Sequence, residues 1–391
     1  KHLFNMETLQ PKLRFPEFRD DWAIEPIGNY IELLSGIALK GEEISDDVNG
    51  IPILRGINIT EGFVRHTKEI DKYYVGNTTK IAKYFVKEND LVLGMDGSKV
   101  GKNVALITKF DENAILIQRV ARIRTNNKSN IKYIYQHIFS KRFHDYVDIV
   151  NTSSGIPHIS SQQIKDFKIG FSNIEEQTKI ANFLSSIDEK LNLLKEKKSL
   201  LEDYKKGIMQ KIFNQEIRFK DDNGNDFEEW EQKSIRNILS IGSGRDYKHL
   251  NYGKVPVYGT GGLMTYVDSF LHQGETVCIG RKGTIDKPMY YNGDIWTVDT
   301  LFYTHTFKKS IPKFVYYVFQ SINWKQHNEA SGVPSLSKST IEQILINVPS
   351  VAEQTKIANF LSAIDKKIEL VSNQIQDTQE YKKGLLQQMF V

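Results

Sequence analysis

The sequence predicts an α+β protein built as a pseudo-twofold internal repeat. Two mixed α/β globular domains are separated by two long helices that pair as an antiparallel coiled coil. Three observations support this fold class. One segment occurs twice in nearly identical form, each copy lies in a long stretch without proline, and the dissimilar segments upstream carry strand and turn signals in the same order.

The repeat is clearest in two thirteen-residue segments that lie 177 residues apart. Glu176–Asp188 and Glu353–Asp365 differ only where Ser186 becomes Ala363. The same spacing relates Ser154–Pro157 to Ser331–Pro334, Tyr204–Gly207 to Tyr381–Gly384, and Phe213 to Phe390. The chain therefore divides into four segments, which are residues 13–155, 156–215, 216–332 and 333–391.

The two dissimilar segments share a common order of predicted elements. Each has a strand after a proline, then an apolar strand that ends in a glycine turn, then another strand and a helix. The paired elements are Ile53–Gly56 with Val257–Thr260, Asp90–Gly94 with Glu275–Gly280, Gln118–Ile123 with Val298–Tyr303, and the helices Ile131–Tyr146 with Pro312–Trp324. Both segments are therefore expected to be mixed α and β.

The stretch from Ile174 to Phe213 contains no proline, and its apolar residues recur in steps of three and four. This spacing is typical of a coiled-coil seam, and the second copy repeats it. Because the remaining faces are polar, each helix needs a partner, and the other copy in the same chain is the nearest one. The alternative is an ordinary pair of bundle helices inside one domain.

Composition narrows the class of protein. The chain has 391 residues, 40% of them hydrophobic, with a formal net charge of +4 and one cysteine, Cys278. No apolar run is long enough for a membrane helix, and the N-terminal residues lack the apolar core of a signal peptide. We therefore expect a cytoplasmic protein without a membrane partner, a disulfide framework or a multi-cysteine metal site.

Together these motifs resemble the specificity subunits of Type I restriction-modification systems. The resemblance is carried by Leu13–Trp22, by the SGIPHIS and SGVPSLS segments, by the two EQTKIANFL segments and by the two helix ends that begin YKKG. It implies that residues 13–155 and 216–332 are target recognition domains, one for each half of a split, asymmetric DNA site. It implies that 156–215 and 333–391 are helical regions that set the spacing between them.

The resemblance also implies partners. They are double-stranded DNA, two modification subunits that methylate adenine, and restriction subunits. S-adenosylmethionine, ATP and Mg²⁺ are then cofactors of the partner subunits, and this chain holds none. In this interpretation the chain is not an enzyme but positions DNA for its partners.

No catalytic or metal site is predicted from the residues themselves. Gly97–Lys102 differs from a phosphate-binding loop in its glycine spacing, and Asn103 stands where that loop needs serine or threonine. No Pro-Pro pair occurs, so the usual motif of amino-methyltransferases is missing, and the histidines lack HExxH spacing. We interpret Gly97–Lys102 and Gly280–Thr284 as duplicated turns that contact phosphates or base edges.

Arg and Lys favour guanine, and Asn and Gln favour adenine, when loops deliver them to DNA. On this basis the candidate DNA contacts are Arg55, Asn58, Ser98, Lys99, Lys102, Arg119, Arg245, Tyr247, Lys248, Arg281, Lys282 and Thr284. The candidate contacts with partner subunits lie on the long helices and are Ile180, Leu184, Ile187, Tyr204, Ile357, Leu361, Ile364 and Tyr381.

Three other functions stay open at this point. One is the specificity subunit of a related bipartite system in which modification and cleavage share one polypeptide. Another is a coiled-coil adaptor that does not bind DNA. An enzyme is the third, and it predicts turnover by the isolated chain.

Overall fold

A computed structural model describes residues 10–151 and 155–391, so Ser154 of the first SGIP segment lies outside the described residues. The chain forms two compact units. Unit 1 comprises the residues up to Leu193 together with Ile375–Val391, and unit 2 comprises Leu194–Gln374. Each long helix is shared between the two units, whereas the sequence predicted four consecutive segments. Those four boundaries stay predictions.

Unit 1 contains ten strands and three complete α-helices among its described residues. The strands are β1 Ala23–Pro26, β2 Ile31–Ser35, β3 Ile44–Ser45, β4 Ile51–Leu54, β5 Tyr73–Tyr74, β6 Leu91–Gly94, β7 Val104–Leu106, β8 Ile115–Leu116, β9 Val120–Thr125 and β10 Lys168–Phe171. The helices are α1 Ile131–Ile138, α2 Lys141–Val150 and α3 Ser161–Asp166. The strands form sheets in the orders β2-β9-β6-β7, β3-β5-β4-β8 and β1-β10.

The sequence predicted one helix from Ile131 to Tyr146, but the structure has two. Asn130 caps α1 by accepting hydrogen bonds from the backbone N–H groups of Lys132 and Tyr133. Ser140 interrupts the helical run, because its backbone is extended and its hydroxyl accepts from the N–H of Phe143 to cap the start of α2.

Unit 2 is built from the long helix α4 Ile174–Phe213, which enters it from unit 1, and from eight strands and further helices. The strands are β11 Glu231–Ser234, β12 Ser240–Ser243, β13 Val255–Gly259, β14 Gly262–Val267, β15 His272–Gly280, β16 Met289–Thr297, β17 Leu301–His305 and β18 Leu345–Val348. The helices are α5 Ile235–Ile238, α6 Pro312–Ser321, α7 Lys338–Gln343 and α8 Val351–Met389. The main sheet has the order β12-β17-β15-β16-β13-β14, and β11 pairs with β18.

In unit 1 the first half of α4 packs beside the last turns of α8, and the two run in opposite directions. Leu13, next to the Arg14 that binds Glu176 at the start of α4, donates its N–H to the carbonyl of Gln388 over 2.8 Å. Earlier in α8, Lys382 binds Asp188, which lies further along α4. Leu385 and Met389 complete a buried core with Ile180, Leu184 and Ile187.

Unit 2 repeats this arrangement with the roles of the helices exchanged. Lys205 of α4 binds Asp365 of α8 over 2.6 Å, at positions that correspond to Lys382 and Asp188 under the 177-residue spacing. Met209 and Ile212 complete its core with Ile357, Leu361 and Ile364. The fold is thus α+β with an internal repeat and an antiparallel pair of long helices, as the sequence predicted.

The first residues of each EQTKIANFL segment attach the long helix to its unit. Both oxygens of the buried Glu176 accept from Arg14, over 2.7 and 2.9 Å, and one also accepts from the indole of Trp22. Glu353 receives the same contacts from Arg218 and Trp230. Gln177 and Gln354 bond the backbone just ahead of α1 and α6. The repeated Glu and Gln therefore have a structural role in both units.

Candidate nucleic-acid interface

In unit 1 a turn after β6 is held between two other segments. Met95 donates its N–H to the carbonyl of Arg119 over 2.9 Å, at the start of β9. Gly97 donates to the carbonyl of Pro157 over 2.9 Å, and Ile159 donates back to Met95. The turn, the β8–β9 connection and the segment from residue 155 onward thus meet at one edge of the sheet.

Unit 2 makes the same set of backbone bonds. Arg281 donates to Thr300 over 2.7 Å, Gly283 donates to Pro334 over 2.8 Å, and Leu336 donates back to Arg281 over 2.9 Å. Pro157 and Pro334 are already equivalent through the repeat. The segments that contain Pro157 and Pro334 therefore act as backbone supports for the turn in both units.

These bonds define which turn residues correspond. Arg281–Thr284 occupy the places of residues 95–98, Thr300 occupies the place of Arg119, and Gly280 and Gly283 take the places of Gly94 and Gly97. The sequence paired the strand ends at Gly94 and Gly280, and these contacts confirm that pairing. It also paired Gly97–Lys102 with Gly280–Thr284, and the backbone contacts correct that second register. The same scaffold position thus carries Asp96 in unit 1 and Lys282 in unit 2.

The turn of unit 1 borders a cleft of about 630 Å³, lined by Arg55, Gly56, Ile57, Asp96, Gly97, Ile117, Gln118, Arg119 and Ile156. Arg55 is half-buried, and its guanidinium donates to the carbonyl of Ile70. Arg119 is exposed, and its Nε lies 3.2 Å from a carboxylate oxygen of Asp96. The other Asp96 oxygen contacts Nδ1 of His158.

The remaining candidates of this turn lie beside the cleft. Ser98 and Lys99 are exposed, and Lys99 pairs with Glu61 over 3.0 Å, while Lys102 is half-buried. The turn leads into strand β7 rather than a helix, so it lacks the helix N-terminus of a phosphate-binding loop. At Gly101 a Cβ atom would lie 2.7 Å from a methyl group of Val147, so packing explains this glycine.

Asn58 is the one predicted DNA contact that the structure places in the interior. It is 1% exposed, its side-chain oxygen accepts from the N–H of Arg55, and its amide donates to Arg65 and Asp71. These bonds stabilise the turn after β4, as asparagine often does. We therefore remove Asn58 from the proposed contact set.

In unit 2 the corresponding edge is more basic. Arg281 and Lys282 are exposed, and Thr284 is half-buried. Arg281 and Lys282 border a cleft of about 340 Å³, lined by Ser243, Arg281, Lys282, Phe302, Glu329, Ser335, Leu336, Ser337 and Lys338. The Arg281 guanidinium lies over the Phe302 ring, 6.0 Å from its centroid.

The second predicted group of unit 2 lies in the segment after β12. Arg245 and Lys248 are exposed, and the backbone of Arg245 bonds Thr297 and the indole of Trp296. Tyr247 is half-buried and packs in a small apolar cluster with Val257 and Trp296. Tyr247 therefore contributes packing in addition to any contact its hydroxyl makes.

Three residues at these edges were not among the predicted contacts. Gln118 lines the unit 1 cleft, and Lys338 lines the unit 2 cleft. Thr260 lies at the end of β13, where its hydroxyl is 3.7 Å from the Cβ position of Gly283. Gln118 immediately precedes the predicted Arg119, so its place in the chain was a usable signal. Lys338 immediately follows the SGVPSLS segment, which was a similar signal. Thr260 reaches the site only through tertiary structure.

The helix candidates separate into two groups. Ile180, Leu184, Ile187, Ile357, Leu361 and Ile364 are buried in the cores of their own units. This corrects their prediction as contacts with partner subunits, because these six side chains are covered within their own units. Tyr204 and Tyr381, in contrast, are 52% and 57% exposed.

The exposed tyrosines each precede the lysine of a duplicated ion pair. Lys205 binds Asp365 and Gln320, and Asp365 also accepts from the Tyr317 hydroxyl over 2.6 Å. Burial, with the Asp365 hydrogen bond, raises the pKa of Tyr317, so the hydroxyl stays protonated as a donor. In unit 1 Lys382 binds Asp188, and Gln136 donates to Asp188 over 2.8 Å. Each YKKG segment is thus held rigidly at its lysine.

The described residues contain neither a cluster suited to a metal ion nor a helix that could span a membrane. Across residues 10–151 and 155–391, His, Cys, Asp and Glu side chains do not gather in a group of three or more that can hold a metal ion. Over the same residues, none of the helices is long and apolar enough to cross a membrane.

Comparison with known proteins identifies the family. The family model for the Type I restriction modification DNA specificity domain matches residues 19–203 and 227–379, which is most of the chain. The chain belongs to this family. The two matches cover both units' turns and the first three quarters of each long helix, in agreement with the internal repeat.

Relatives extend over nearly the whole chain. The Type I restriction enzyme MjaVIII specificity subunit of Methanocaldococcus jannaschii is 23% identical and covers 96% of this chain and 92% of its own length. The putative MjaX specificity subunit of the same organism is 25% identical and covers 98% and 96%. A solved S subunit from M. genitalium matches with a TM-score of 0.66 at 20% identity, over 98% of this chain and 99% of its own. This last likeness concerns the fold.

Proposed function

We propose that this specificity-family chain reads a split, asymmetric DNA target, with unit 1 contacting one half-site and unit 2 the other. One observation carries the proposal. Both units present the same backbone-supported turn at a sheet edge, but the side chains on it differ in charge and chemistry, as Asp96 and Lys282 illustrate. Equivalent scaffolds with different polar surfaces are suited to reading two different sequences.

The proposed contacts of unit 1 are Arg55, Gln118 and Arg119 around the cleft, with Ser98, Lys99 and Lys102 beside it. In unit 2 they are Arg281, Lys282 and Thr284, with Arg245, Tyr247, Lys248, Thr260 and Lys338 nearby. The Arg and Lys side chains supply phosphate contacts that weaken as the salt concentration rises. The Arg guanidinium groups and the Gln amide supply contacts with base edges.

The direct test is the methylation pattern of a genome that carries this chain with its modification subunit. Mapped methyladenines are expected in a motif with two specified parts separated by unspecified bases, and the two parts are expected to differ. A continuous motif, or a palindromic one, contradicts the proposal. Failure of the assembled complex to bind any duplex favours the adaptor function instead.

We further propose that the chain is the non-catalytic member of a complex with two modification subunits and with restriction subunits. In that arrangement S-adenosylmethionine, ATP and Mg²⁺ belong to the partners, and the cytoplasm, which holds the DNA, is the expected location. The isolated chain is then expected to transfer no methyl group and to hydrolyse no ATP. Turnover by the purified chain contradicts this assignment.

The duplicated, exposed Tyr204 and Tyr381 support two equivalent docking sites for the modification subunits. A Tyr204→Ala variant is expected to bind one modification subunit instead of two, and Tyr381→Ala the same, as measured by native mass spectrometry. Tyr252→Ala is a matched control, because Tyr252 is 82% exposed and lies outside the repeat. Two bound subunits in the double variant contradict this role.

A further inference from the structure

We propose that Asp96 is a positioning residue that aims Arg119 at a guanine in the half-site read by unit 1. The inference rests on the proposed function and goes beyond it, because it names the base that is read and gives two side chains different roles. Arg119 makes the base contact. Asp96 acts through Arg119 and touches no DNA.

The ion pair determines which edge of the guanidinium is left for DNA. Asp96 engages Nε of Arg119 over 3.2 Å, and its second oxygen is occupied by His158. Within residues 10–151 and 155–391, the terminal nitrogens of Arg119 have no hydrogen-bond partner, and 64% of the side chain is exposed. Two parallel N–H groups in one plane match the N7 and O6 acceptors that guanine presents in the major groove.

Asp96 is itself held in place. Its side chain is only 20% exposed, and the carbonyl of Pro157 bonds the N–H of Gly97 on one side of it. An arginine whose Nε is already paired loses less conformational freedom when it binds a base. The pair therefore favours a defined base contact over a mobile contact with phosphates.

The backbone at Arg119 is equally specific. Its φ of +70° lies in the left-handed region, which an arginine seldom adopts. The conformation is maintained because the carbonyl of Arg119 accepts from Met95 while the next residue, Val120, pairs with Gly94 in the sheet. Such an unfavourable backbone conformation persists where the surrounding structure enforces it, often at binding sites. Here it turns the Arg119 side chain into the cleft beside Gln118.

Unit 2 provides an internal comparison. At the positions of Asp96 and Arg119 it carries Lys282 and Thr300, so this acid-supported arginine is confined to unit 1. Arg281 sits one residue earlier in its turn and lies against Phe302 rather than a carboxylate. The predicted guanine contact therefore belongs to one half-site only.

The test uses the assembled complex with its modification subunit and a duplex that carries the mapped bipartite target. Each guanine of the unit 1 half-site is replaced in turn by 7-deazaguanine, which lacks the N7 acceptor. One of these replacements is expected to weaken binding by the wild-type complex about 5- to 150-fold. Arg119→Ala is expected to bind the natural duplex about that much more weakly and to be insensitive to the same replacement.

Variants at Asp96 separate positioning from direct contact. Asp96→Asn and Asp96→Ala are expected to reduce the discrimination against 7-deazaguanine while affinity for the unit 2 half-site stays unchanged. Arg119→Lys is not expected to restore discrimination, because an ammonium cannot make the paired contact. Lys109→Ala, at an exposed lysine of unit 1 outside the proposed contacts, is expected to keep full discrimination.

The possible outcomes are distinct. One outcome is that Arg119→Ala instead weakens binding to all duplexes equally and reduces the slope of log affinity against log salt concentration by about one. That result assigns Arg119 to a DNA phosphate and overturns the inference. Undiminished discrimination in Asp96→Ala overturns the role of Asp96. Complexes that bind no bipartite duplex contradict the proposed function itself, whereas complexes that bind but ignore every 7-deazaguanine contradict only the guanine assignment.

Discussion

Replacement of Glu176 by alanine removes the shared acceptor of Arg14 and Trp22 at the start of α4. The Glu176 side chain is fully buried and that of Arg14 is 10% exposed, so the arginine would lose its paired charge in a place that water hardly reaches. Removing one partner of a buried ion pair costs about 3–5 kcal/mol. Glu176→Ala is expected to lower the free energy of unfolding of unit 1 by that amount.

The repeat supplies a matched comparison, Glu353→Ala. Arg218 is 21% exposed, and besides Glu353 it bonds the backbone carbonyls of Phe227 and Glu228 and the carboxylate of Glu229. Arg14 has one such additional acceptor, the carbonyl of Asp20, over 2.6 Å. Because Arg218 keeps these acceptors and some water, we expect a smaller loss for unit 2, about 1–3 kcal/mol.

Hydrogen exchange resolved by mass spectrometry measures the two losses separately, from peptides in residues 174–193 and 351–370. Glu176→Gln, which retains an acceptor for Trp22, is expected to fall between wild type and Glu176→Ala. The exposed Glu189→Ala is the control and is expected to change stability by less than about 0.5 kcal/mol. A loss at Glu353 as large as that at Glu176, or a loss at Glu176 below about 1 kcal/mol, refutes the reasoning.

Three further predictions concern the turns and one buried histidine. Arg281→Ala is expected to weaken binding to the unit 2 half-site by about 1–3 kcal/mol and leave the unit 1 half-site unaffected, as measured by competition with duplexes in which one half-site is scrambled; equal loss at both is the contrary result. Gly101→Ala is expected to destabilise unit 1 more than Gly97→Ala in urea unfolding, because both have positive φ but only Gly101 also faces Val147, at 2.7 Å; a Val147→Ala replacement should recover part of the difference. Burial, and then the charge of Arg142, lowers the pKa of His137 to about 3, so this residue stays neutral in the fold. Its contribution to the free energy of unfolding is therefore fully present above the unfolded pKa of about 6.5 and is lost as the pH falls towards 3, by about 1.4 kcal/mol per pH unit. His137→Val, the residue type at the corresponding Val318, should remove this slope, and an unchanged slope would show that another group titrates.

The long helices were predictable because their signals are local. The absence of proline and the steps of three and four define α4 over the same residues, Ile174 to Phe213, that the structure shows. The break between α1 and α2 was missed, although Ser140 is a good helix cap, because the apolar spacing continues across it. Periodicity alone does not distinguish one helix from two that pack on the same core.

Site residues were harder to predict because their roles depend on contacts between distant segments. The turns were found, but their register depends on bonds to Pro157 and Pro334, and each turn offers two glycines that match equally well. Asn58 carries the amide that typically reads adenine, but it is buried and its hydrogen bonds stabilise a turn. Apolar stripes such as that of Ile180 and Leu184 predict burial but do not say whether the covering surface belongs to the same chain.

The exchange of helix ends between the repeats has a consequence for truncated forms of the chain. Unit 1 takes Lys382, Leu385 and Met389 from the second copy, and the first copy carries Lys205, Ile208 and Ile212 at the same places in its own helix. A fragment ending near residue 215 therefore contains both the surface that needs covering and the helix end that can cover it in another molecule. Such a fragment is expected to form a symmetric, domain-swapped dimer in which Lys205 of each molecule binds Asp188 of the other. Sedimentation of this fragment as a folded monomer would contradict that expectation.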